Sequence, residues 1–288
     1  MRERSTKLRS IAFNVLLRLS WVAAGSSHTD YTMGLREELE VQGNWLFRWR
    51  SYLPLLIIPV LIIALQSSGT PERVIGDVGE RLYEEFCIAL SFAGLAIRFI
   101  TVGHVPDGTS GKNRKKQRAE MLNTTGMYSI VRHPLYLGNF IISLGIAFFT
   151  EVWWFVLITA LVFWLYYERI MFAEEEFLRS KFGALYLEWT EKTPAFLPNF
   201  RRWQRPNLSF SFRYALKREY SAPFGVITSF VLMDIARSLF AGDGFELKLI
   251  WVISFSFGVG LFITVRILRK RTAMLDIKRR YRERSRIA

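Results

Sequence analysis

Several apolar stretches of near-membrane length constrain the fold of this chain more than any other feature of its sequence. The clearest cover residues 52–66, 86–102, 152–167 and 249–268, and two less uniform ones cover 135–150 and 222–241. An α-helix needs about 20 residues to cross the roughly 30 Å hydrocarbon core of a bilayer, so the shorter stretches need flanking aromatic residues to complete a span. The sequence therefore predicts an all-α, polytopic membrane protein with about six transmembrane helices.

The positive charge of the chain is divided among the segments that flank these stretches. The formal net charge is +14, and lysine and arginine cluster in residues 1–50, 104–134, 169–220 and 266–288. Cytoplasmic flanks of membrane helices carry an excess of lysine and arginine, and six crossings place all four clusters on that side. We therefore predict an integral, multi-pass membrane protein with both termini cytoplasmic, in the inner (plasma) membrane if the source is bacterial. Charge divided in this way argues against nucleic acid as a partner.

Composition and hydropathy divide the chain into three regions. Residues 1–50 predict amphipathic helices that lie at the membrane interface. Residues 51–198 form the predicted membrane core, and residues 199–288 add a further transmembrane hairpin with a basic tail. The single cysteine, Cys87, falls inside a predicted span, so we expect neither a disulfide framework nor a thiolate metal site.

The third and fourth predicted helices form a tight hairpin. Pro134 suits the first position of the third helix, because an N–H at that position would have no helical partner. The third helix (135–150) and the fourth (152–173) are separated by only one or two residues. Apolar residues continue at helical spacing beyond the fourth span. We therefore predict a cytoplasmic extension of this helix, with a break near Gly183 and an end before Pro194.

Charged residues stand at the cytoplasmic ends of this hairpin. Arg132 and His133 directly precede the third helix, and Glu174, Glu175 and Glu176 follow the fourth span. Taken singly, the cations are ordinary headgroup anchors and the glutamates an ordinary solvated helix face. Adjacent carboxylates repel one another, so they are not there for helix stability. Successive helical residues are about 100° apart, so at most two of the three glutamates can face one pocket.

Two separated motifs make a more specific pattern. The first contains Gly126, Tyr128, Arg132, His133, Pro134, Tyr136 and Gly138. The second contains Glu174, Glu175, Gly183, Tyr186, Trp189, Pro194 and Pro198. Over residues 86–198 the chain resembles the isoprenylcysteine carboxyl methyltransferase family, with Trp189 at a position where many relatives have tyrosine.

The resemblance implies an integral membrane methyltransferase that binds S-adenosylmethionine at the cytoplasmic helix ends, without a Rossmann domain and under a C-terminal cap that includes residues 194–198. The cofactor-binding residues that it implies are Tyr128, His133, Pro134, Tyr136, Gly138, Glu174, Glu175 and Tyr186. It implies Arg132 and Glu175 as catalytic residues and no metal. A carboxylate pair suits the cationic cofactor, and aromatic faces suit its sulfonium. The planar guanidinium of Arg132 suits an anionic acceptor oxygen.

Alternatives stay open at this level. An NADPH-dependent membrane sterol or lipid reductase has a similar helical core, although the acidic residues 174–176 are poor neighbours for a 2′-phosphate. A non-enzymatic scaffold would leave the paired motifs unexplained. The acceptor is open among prenylcysteine carboxylates, phospholipid amines, small thiols and lipid phosphates. The basic loop 112–118 and the basic C-terminal hairpin favour an anionic lipid, whereas the sequence indicates neither the oligomeric state nor the source organism.

Overall fold

The structure of the protein is a computed structural model that describes residues 34–67, 72–109, 117, 119–241, 248–272 and 274–275. The chain divides into two compact units, Met1–Glu38 and Leu39–Ala288. Three predictions fall wholly or largely outside the described residues: the interfacial region before residue 34, the basic loop 112–118 except its Gln117, and the basic tail beyond residue 275.

Regular secondary structure in the described residues is entirely helical. In chain order the helices are α1 (Leu35–Trp49), α2 (Ile58–Ser67), α3 (Glu72–Gly103), α4 (Met127–Ile130), α5 (Pro134–Phe148), α6 (Trp153–Phe182), α7 (Ala184–Lys192), α8 (Phe212–Glu219), α9 (Ser221–Ala241) and α10 (Leu249–Arg271). Short 3-10 turns cover Leu53–Ile57 and Phe200–Arg202. The prediction of an all-α protein is confirmed.

Four of these helices are long and apolar enough to cross a membrane. They are Val78–Gly103 within α3, Trp153–Phe182, Ser221–Phe240 within α9, and Leu249–Arg271. The apolar helical segments Leu55–Gln66 and Pro134–Phe148 are shorter than the about 20 residues that a straight crossing needs. The protein is therefore an all-α membrane protein, while the number of six crossings stays a prediction.

The turn between α5 and α6 is longer than predicted. α5 ends at Phe148 and α6 begins at Trp153, so four residues separate the helices rather than one or two. Thr150 stabilises this reversal, because its hydroxyl donates a 2.8 Å hydrogen bond to the carbonyl of Ala147. Glu151 takes a positive φ of 59°, which turns the chain back towards the start of α6.

The ends of the hairpin that carry the two motifs agree with the sequence prediction. Pro134 is the first residue of α5, and α6 continues well beyond a membrane-length span to Phe182. Gly183, with φ +53°, separates α6 from α7 in a conformation that costs glycine little. The predicted break near Gly183 is confirmed, and so is the end before Pro194, because α7 stops at Lys192.

Helices α3 and α5 approach each other closely along a row of glycines. A Cβ added at Gly138 would lie 2.8 Å from the carbonyl oxygen of Gly94, and one added at Gly145 would lie 2.6 Å from that of Cys87. Small residues let two membrane helices pack backbone against backbone. This contact places the N-terminal end of α5, which carries the sequence motif, beside the last turns of α3.

The C-terminal region docks onto the same end of α3. The backbone N–H of Ser211 donates to the carbonyl of Gly103 at 3.0 Å. The rings of Phe210 and Phe212 lie 5.8 and 5.5 Å from the ring of Phe99, centroid to centroid. These contacts direct α8 along the end of α3, so that its last residue, Glu219, reaches into the core.

A second contact joins the C-terminal hairpin to the core at the opposite end of α5. Arg237 of α9 forms an ion pair of 2.8 Å with Glu151 in the α5–α6 turn, and its guanidinium also lies 3.4 Å from Glu84 of α3. Phe149 packs edge to face on Phe230 at 5.1 Å. The C-terminal region is therefore held to the core at two places, by residues 210–212 at the end of α3 and by α9 at the α5–α6 turn.

Candidate functional site

The two motifs meet as a compact polar cluster where α5 begins. Arg132 and His133 precede Pro134, and both contact Glu175 of α6. The Nη1 atom of Arg132 donates to Oε2 of Glu175 at 2.8 Å, and Nε2 of His133 lies 2.9 Å from Oε1 of the same carboxylate. One carboxylate of the second motif thus holds two neighbouring side chains of the first motif.

The neighbouring glutamate has different partners. The hydroxyl of Tyr136 donates to Oε2 of Glu174 at 2.8 Å, and Nδ1 of His133 lies 3.9 Å from the same oxygen. The ring of Tyr136 stacks on His133 with centroids 5.6 Å apart and contacts Tyr167 at 4.9 Å. His133 therefore lies between the two carboxylates, with one ring nitrogen facing each.

The segment after α7 covers this cluster from the polar side. The backbone N–H of Arg132 donates to the carbonyl of Pro194 at 2.9 Å, and that of Asn199 donates to Ile130 at 2.9 Å. The indole N–H of Trp189 donates to the carbonyl of Tyr128 at 3.1 Å. These bonds tie residues 189–199 to the backbone of the first motif, while the cap over a cofactor stays a prediction.

A buried tyrosine, Tyr186, and a half-buried one, Tyr128, lie at the edges of the cluster. Tyr186 of α7 is 1% exposed, and burial together with the charge of nearby Glu175 raises its pKa. Burial and, to a smaller extent, the charge of Glu174 raise the pKa of Tyr128. Both hydroxyls therefore stay protonated and neutral at neutral pH.

A cavity of about 550 Å³ opens beside the cluster, within the range usual for sites that hold small ligands. Six of the predicted site residues line it: Tyr128, Arg132, His133, Pro134, Tyr136 and Glu174. Gly138, Glu175 and Tyr186 do not line it. The structure thus brings most of the predicted residues to one cavity and places three behind its wall.

Two of these three residues contact residues of the wall. Gly138 faces α3, where a Cβ would lie 2.6 Å from Cγ of Arg98. Glu175 holds Arg132 and His133, whereas Tyr186 is buried in α7. Neighbouring positions on α6 are rotated by about 100°, which explains why Glu174 reaches the cavity while Glu175 lies behind it.

Sequence reasoning missed a second polar network in the cavity. Arg98 of α3 donates from Nε and Nη2 to Oε2 of Glu219, at 3.0 and 2.6 Å, and from Nη1 to Oδ1 of Asn139. The amide of Asn139 donates to the hydroxyl of Tyr167 at 3.1 Å. An arginine inside an apolar span was the signal that could have found it, because intramembrane charges are rare and generally have a partner or a function.

The lining residues fit a cationic cofactor. Glu174 offers a carboxylate that lines the cavity, and the rings of Tyr128, Tyr136 and Tyr167 line it as well. Aromatic faces attract cations such as a sulfonium or an ammonium. Within the described residues, no group of histidine, cysteine or carboxylate side chains is arranged to hold a metal ion.

Comparisons with known proteins match the same part of the chain. Residues 107–184 match the family model described as phospholipid methyltransferase. Protein-S-isoprenylcysteine O-methyltransferase of Schizosaccharomyces pombe is 34% identical over 84 residues, which is 29% of this chain and 36% of that protein. The cobalt-zinc-cadmium resistance protein CzcN of Cupriavidus metallidurans is 34% identical over 111 residues, 38% of this chain and 50% of that protein. No solved structure matches.

The fold is that of a membrane protein, and the matched part of its core is similar to methyltransferases that act on phospholipids or on isoprenylcysteine, as their names print. The recognition of the isoprenylcysteine carboxyl methyltransferase family from the two motifs is confirmed over this part of the chain. The chain spans half or less of the length of the curated relatives that it matches.

Proposed function

We propose that the protein is an S-adenosylmethionine-dependent methyltransferase that methylates an oxygen of an anionic, membrane-embedded acceptor. The observation that carries this proposal is the cavity at the start of α5. Glu174, His133 and Tyr136 line this cavity and contact one another. The acceptor classes that fit are a lipid phosphate, a lipid carboxylate and a prenylcysteine carboxylate. The names of the relatives support acceptors of lipid or lipidated character.

The residues around Glu174 form the cofactor side of the proposed site. When bound, S-adenosylmethionine supplies an electrophilic methyl group on a sulfonium. The Glu174 carboxylate would bind the ammonium of the cofactor, because charge-assisted hydrogen bonds are about twice as strong as neutral ones. The hydroxyl of Tyr136 holds that carboxylate at 2.8 Å, and the rings of Tyr128 and Tyr136 offer their faces to the sulfonium.

The Arg132–Glu175 pair supports the acceptor side. Arg132 lines the cavity, while Glu175 lies behind it and fixes one side of the guanidinium at 2.8 Å. We assign Arg132 to contact with the acceptor oxygen and Glu175 to positioning of Arg132 and His133. An acceptor that is already an anion needs no general base, so the main tasks of these residues are alignment and exclusion of water.

The distribution of charge supports a cavity that opens to the cytoplasm. Lysine and arginine flank the helix ends at this side in residues 104–134, 169–220 and 266–288, and cytoplasmic flanks carry such an excess. The two termini would then lie on the same side of the membrane. An amphiphilic acceptor would enter from the bilayer with its charged group at the level of the cavity.

Ligand binding tests the class of the proposed enzyme. The detergent-purified full chain would be titrated with S-adenosylhomocysteine and, separately, with NADPH by calorimetry. Micromolar binding of S-adenosylhomocysteine alone is the expected result. Binding of NADPH alone would replace the proposal with a membrane reductase, and binding of neither would contradict both enzyme readings.

The methyl acceptor would then be sought in total lipid extracts of membranes. A strain that expresses the protein is compared with one that expresses Glu174→Gln, after labelling with methyl-labelled methionine and extraction of membranes. Mass spectrometry is expected to show an anionic lipid that gains one methyl group only with the wild-type protein. Absence of any such lipid would count against a lipid acceptor and leave prenylcysteine carboxylates to be tested.

A further inference from the structure

The cavity continues beyond the segment that matches known methyltransferases. Residues 107–184 match the family model, but the lining also includes Arg50, Arg98, Arg218 and Arg269. Counted with Arg132, five arginines and two glutamates, Glu174 and Glu219, line the cavity within the described residues. A concave surface with such an excess of positive charge favours an anionic ligand.

Arg98 is the best placed of these arginines to bind an anion. Its guanidinium carries five N–H donors, of which the described residues accept three: two bind Glu219 and one binds Asn139. The side chain is 19% exposed and lines the cavity. A planar guanidinium that is fixed through three of its donors presents the other two in a defined orientation, which suits phosphate or carboxylate oxygens.

The depth of Arg98 matches a ligand that comes from the bilayer. Arg98 lies within the span Val78–Gly103, five residues before its end and thus about 7.5 Å along the helix axis. Its partner Asn139 lies on α5 one helical turn beyond Tyr136, which binds Glu174. Arg98 and its partners therefore lie in the cavity wall next to the residues proposed to bind the cofactor. They are farther into the membrane-spanning part of the protein than those residues.

The partner of Arg98 comes from the C-terminal region. Glu219 is the last residue of α8, is 7% exposed, and approaches Arg98 through one oxygen, Oε2. An ion pair that is largely removed from water contributes little net stability, because desolvation offsets the attraction. Stability therefore does not explain why a docked C-terminal helix delivers a carboxylate to this place, whereas positioning of Arg98 does.

We propose that Arg98, held by Glu219 and Asn139, binds the phosphate or carboxylate group of the membrane-embedded acceptor. The C-terminal region, through Glu219, then determines the position of that group. This inference rests on the proposed function, because it assigns the acceptor side of the same cavity. Arg98 forms no covalent bond in this role; it holds the acceptor while Glu174 and its neighbours hold the cofactor.

Binding of two anionic probes tests the role of Arg98. The full chain in phosphatidylcholine nanodiscs is titrated with phosphatidic acid, a phosphomonoester lipid, and with N-acetyl-S-farnesylcysteine, a prenylated carboxylate. We expect the wild type to bind at least one of them, and the identity of that probe distinguishes a lipid phosphate from a prenylcysteine. Arg98→Gln should weaken binding of that probe at least tenfold, with the affinity for S-adenosylhomocysteine within twofold of wild type.

Two further variants separate positioning from a general structural effect. Glu219→Gln leaves the charge of Arg98 in place but weakens the contact that orients it. Probe binding should therefore fall by a smaller factor than in Arg98→Gln, while S-adenosylhomocysteine binding is unchanged. Arg169→Gln is the matched control. Arg169 of α6 is also partly buried and hydrogen-bonded, to Gln42 at 2.9 Å, but it does not line the cavity. The Arg169→Gln variant should have the same affinity for each probe as the wild type.

The outcomes distinguish this inference from the proposed function. Wild type that does not bind S-adenosylhomocysteine would contradict the proposed function itself. Normal S-adenosylhomocysteine binding with unchanged probe binding in Arg98→Gln, or wild type that binds neither probe, would overturn the role of Arg98 alone. If Arg98→Gln does not fold, the double variant Arg98→Gln/Glu219→Gln leaves no unpaired carboxylate and takes its place. A double variant that also fails to fold would assign the pair to structure and overturn the inference.

Discussion

At the scale of single residues, adjacent glutamates on one helix have separate tasks. Glu174 lines the cavity with Tyr136 as its partner, while Glu175 lies behind it and holds Arg132 and His133. The sequence motif contains both glutamates but does not indicate which of them faces the cavity. Their rotation around α6 and the position of α5 decide which carboxylate is available to a ligand.

Glu174→Gln is expected to weaken S-adenosylhomocysteine binding. The variant keeps the shape of the side chain but removes the charge opposite the ammonium, and a hydrogen bond to a charged group contributes about 1.5 to 3 kcal/mol. The dissociation constant should therefore rise roughly ten- to hundredfold, measured by calorimetry. Glu176→Gln is the control, because Glu176 pairs with Arg179 at 3.6 Å and does not line the cavity. Equal affinities for Glu174→Gln and wild type would remove Glu174 from the cofactor side.

Arg132→Lys is expected to slow methyl transfer and spare cofactor binding. Lysine keeps the positive charge but cannot bind Glu175 and an acceptor oxygen through the two sides of a planar group. A loss of about 1.4 kcal/mol of transition-state stabilisation would lower kcat tenfold, as measured with labelled S-adenosylmethionine and membrane extract. The affinity for S-adenosylhomocysteine should stay within twofold of wild type. Wild-type turnover would show that the side chain of Arg132 does not contact the acceptor.

At the scale of helices, the patterns that act locally were read correctly from the sequence. Pro134 begins α5, Gly183 separates α6 from α7, and α7 ends before Pro194. Proline and glycine impose these boundaries through their own backbone preferences, so no distant contact is needed. The α5–α6 turn was predicted too short, because apolar Phe149 continues the helical pattern beyond Phe148, where α5 ends.

Gly138→Ala is expected to loosen the packing of α3 on α5. The added Cβ would lie 2.8 Å from the carbonyl oxygen of Gly94, and forcing an extra methyl into a packed interface costs about 1 to 3 kcal/mol. Thermal unfolding in detergent, followed by intrinsic fluorescence, should show a lower Tm. Gly260→Ala in α10 is the control, since nothing lies within 4 Å of its added Cβ, and its Tm should be unchanged or slightly higher. If Gly138→Ala had the Tm of the wild type, the claim that Gly138 is needed for the packing of α3 on α5 would be wrong.

At the scale of the whole molecule, the C-terminal region is connected to the core at two distant places. Glu219 reaches Arg98 beside the cavity, and Arg237 reaches Glu151 and Glu84 at the other end of α5. Only the first of these contacts involves residues that line the cavity. The two places should therefore differ in what a substitution changes: ligand binding at the first and stability at the second.

Arg237→Gln is expected to destabilise the protein without changing its ligand affinity. Removal of the cation takes from Glu151 and Glu84 a partly buried group that both contact, and a hydrogen bond to a charged group contributes about 1.5 to 3 kcal/mol. The Tm should fall clearly below that of Arg266→Gln, a control on α10 whose guanidinium is exposed and lies over the ring of Phe262. S-adenosylhomocysteine binding to the folded fraction should match that of wild type. An unchanged Tm would show that the hairpin is held by apolar packing alone.

The sequence by itself determined that this is an all-α membrane protein, because hydropathy, proline and glycine act over short stretches. It also showed the resemblance to a methyltransferase family, because the two motifs are distinctive in type and order. Tertiary structure alone decided which motif residues line the cavity and which lie behind its wall. It also brought together Arg98 and Glu219, which are 121 residues apart in the chain. Their contact depends on the glycine-mediated approach of α3 to α5 and on the docking of α8 against α3, and long-range helix packing of this kind leaves no periodic signal in the residues that meet.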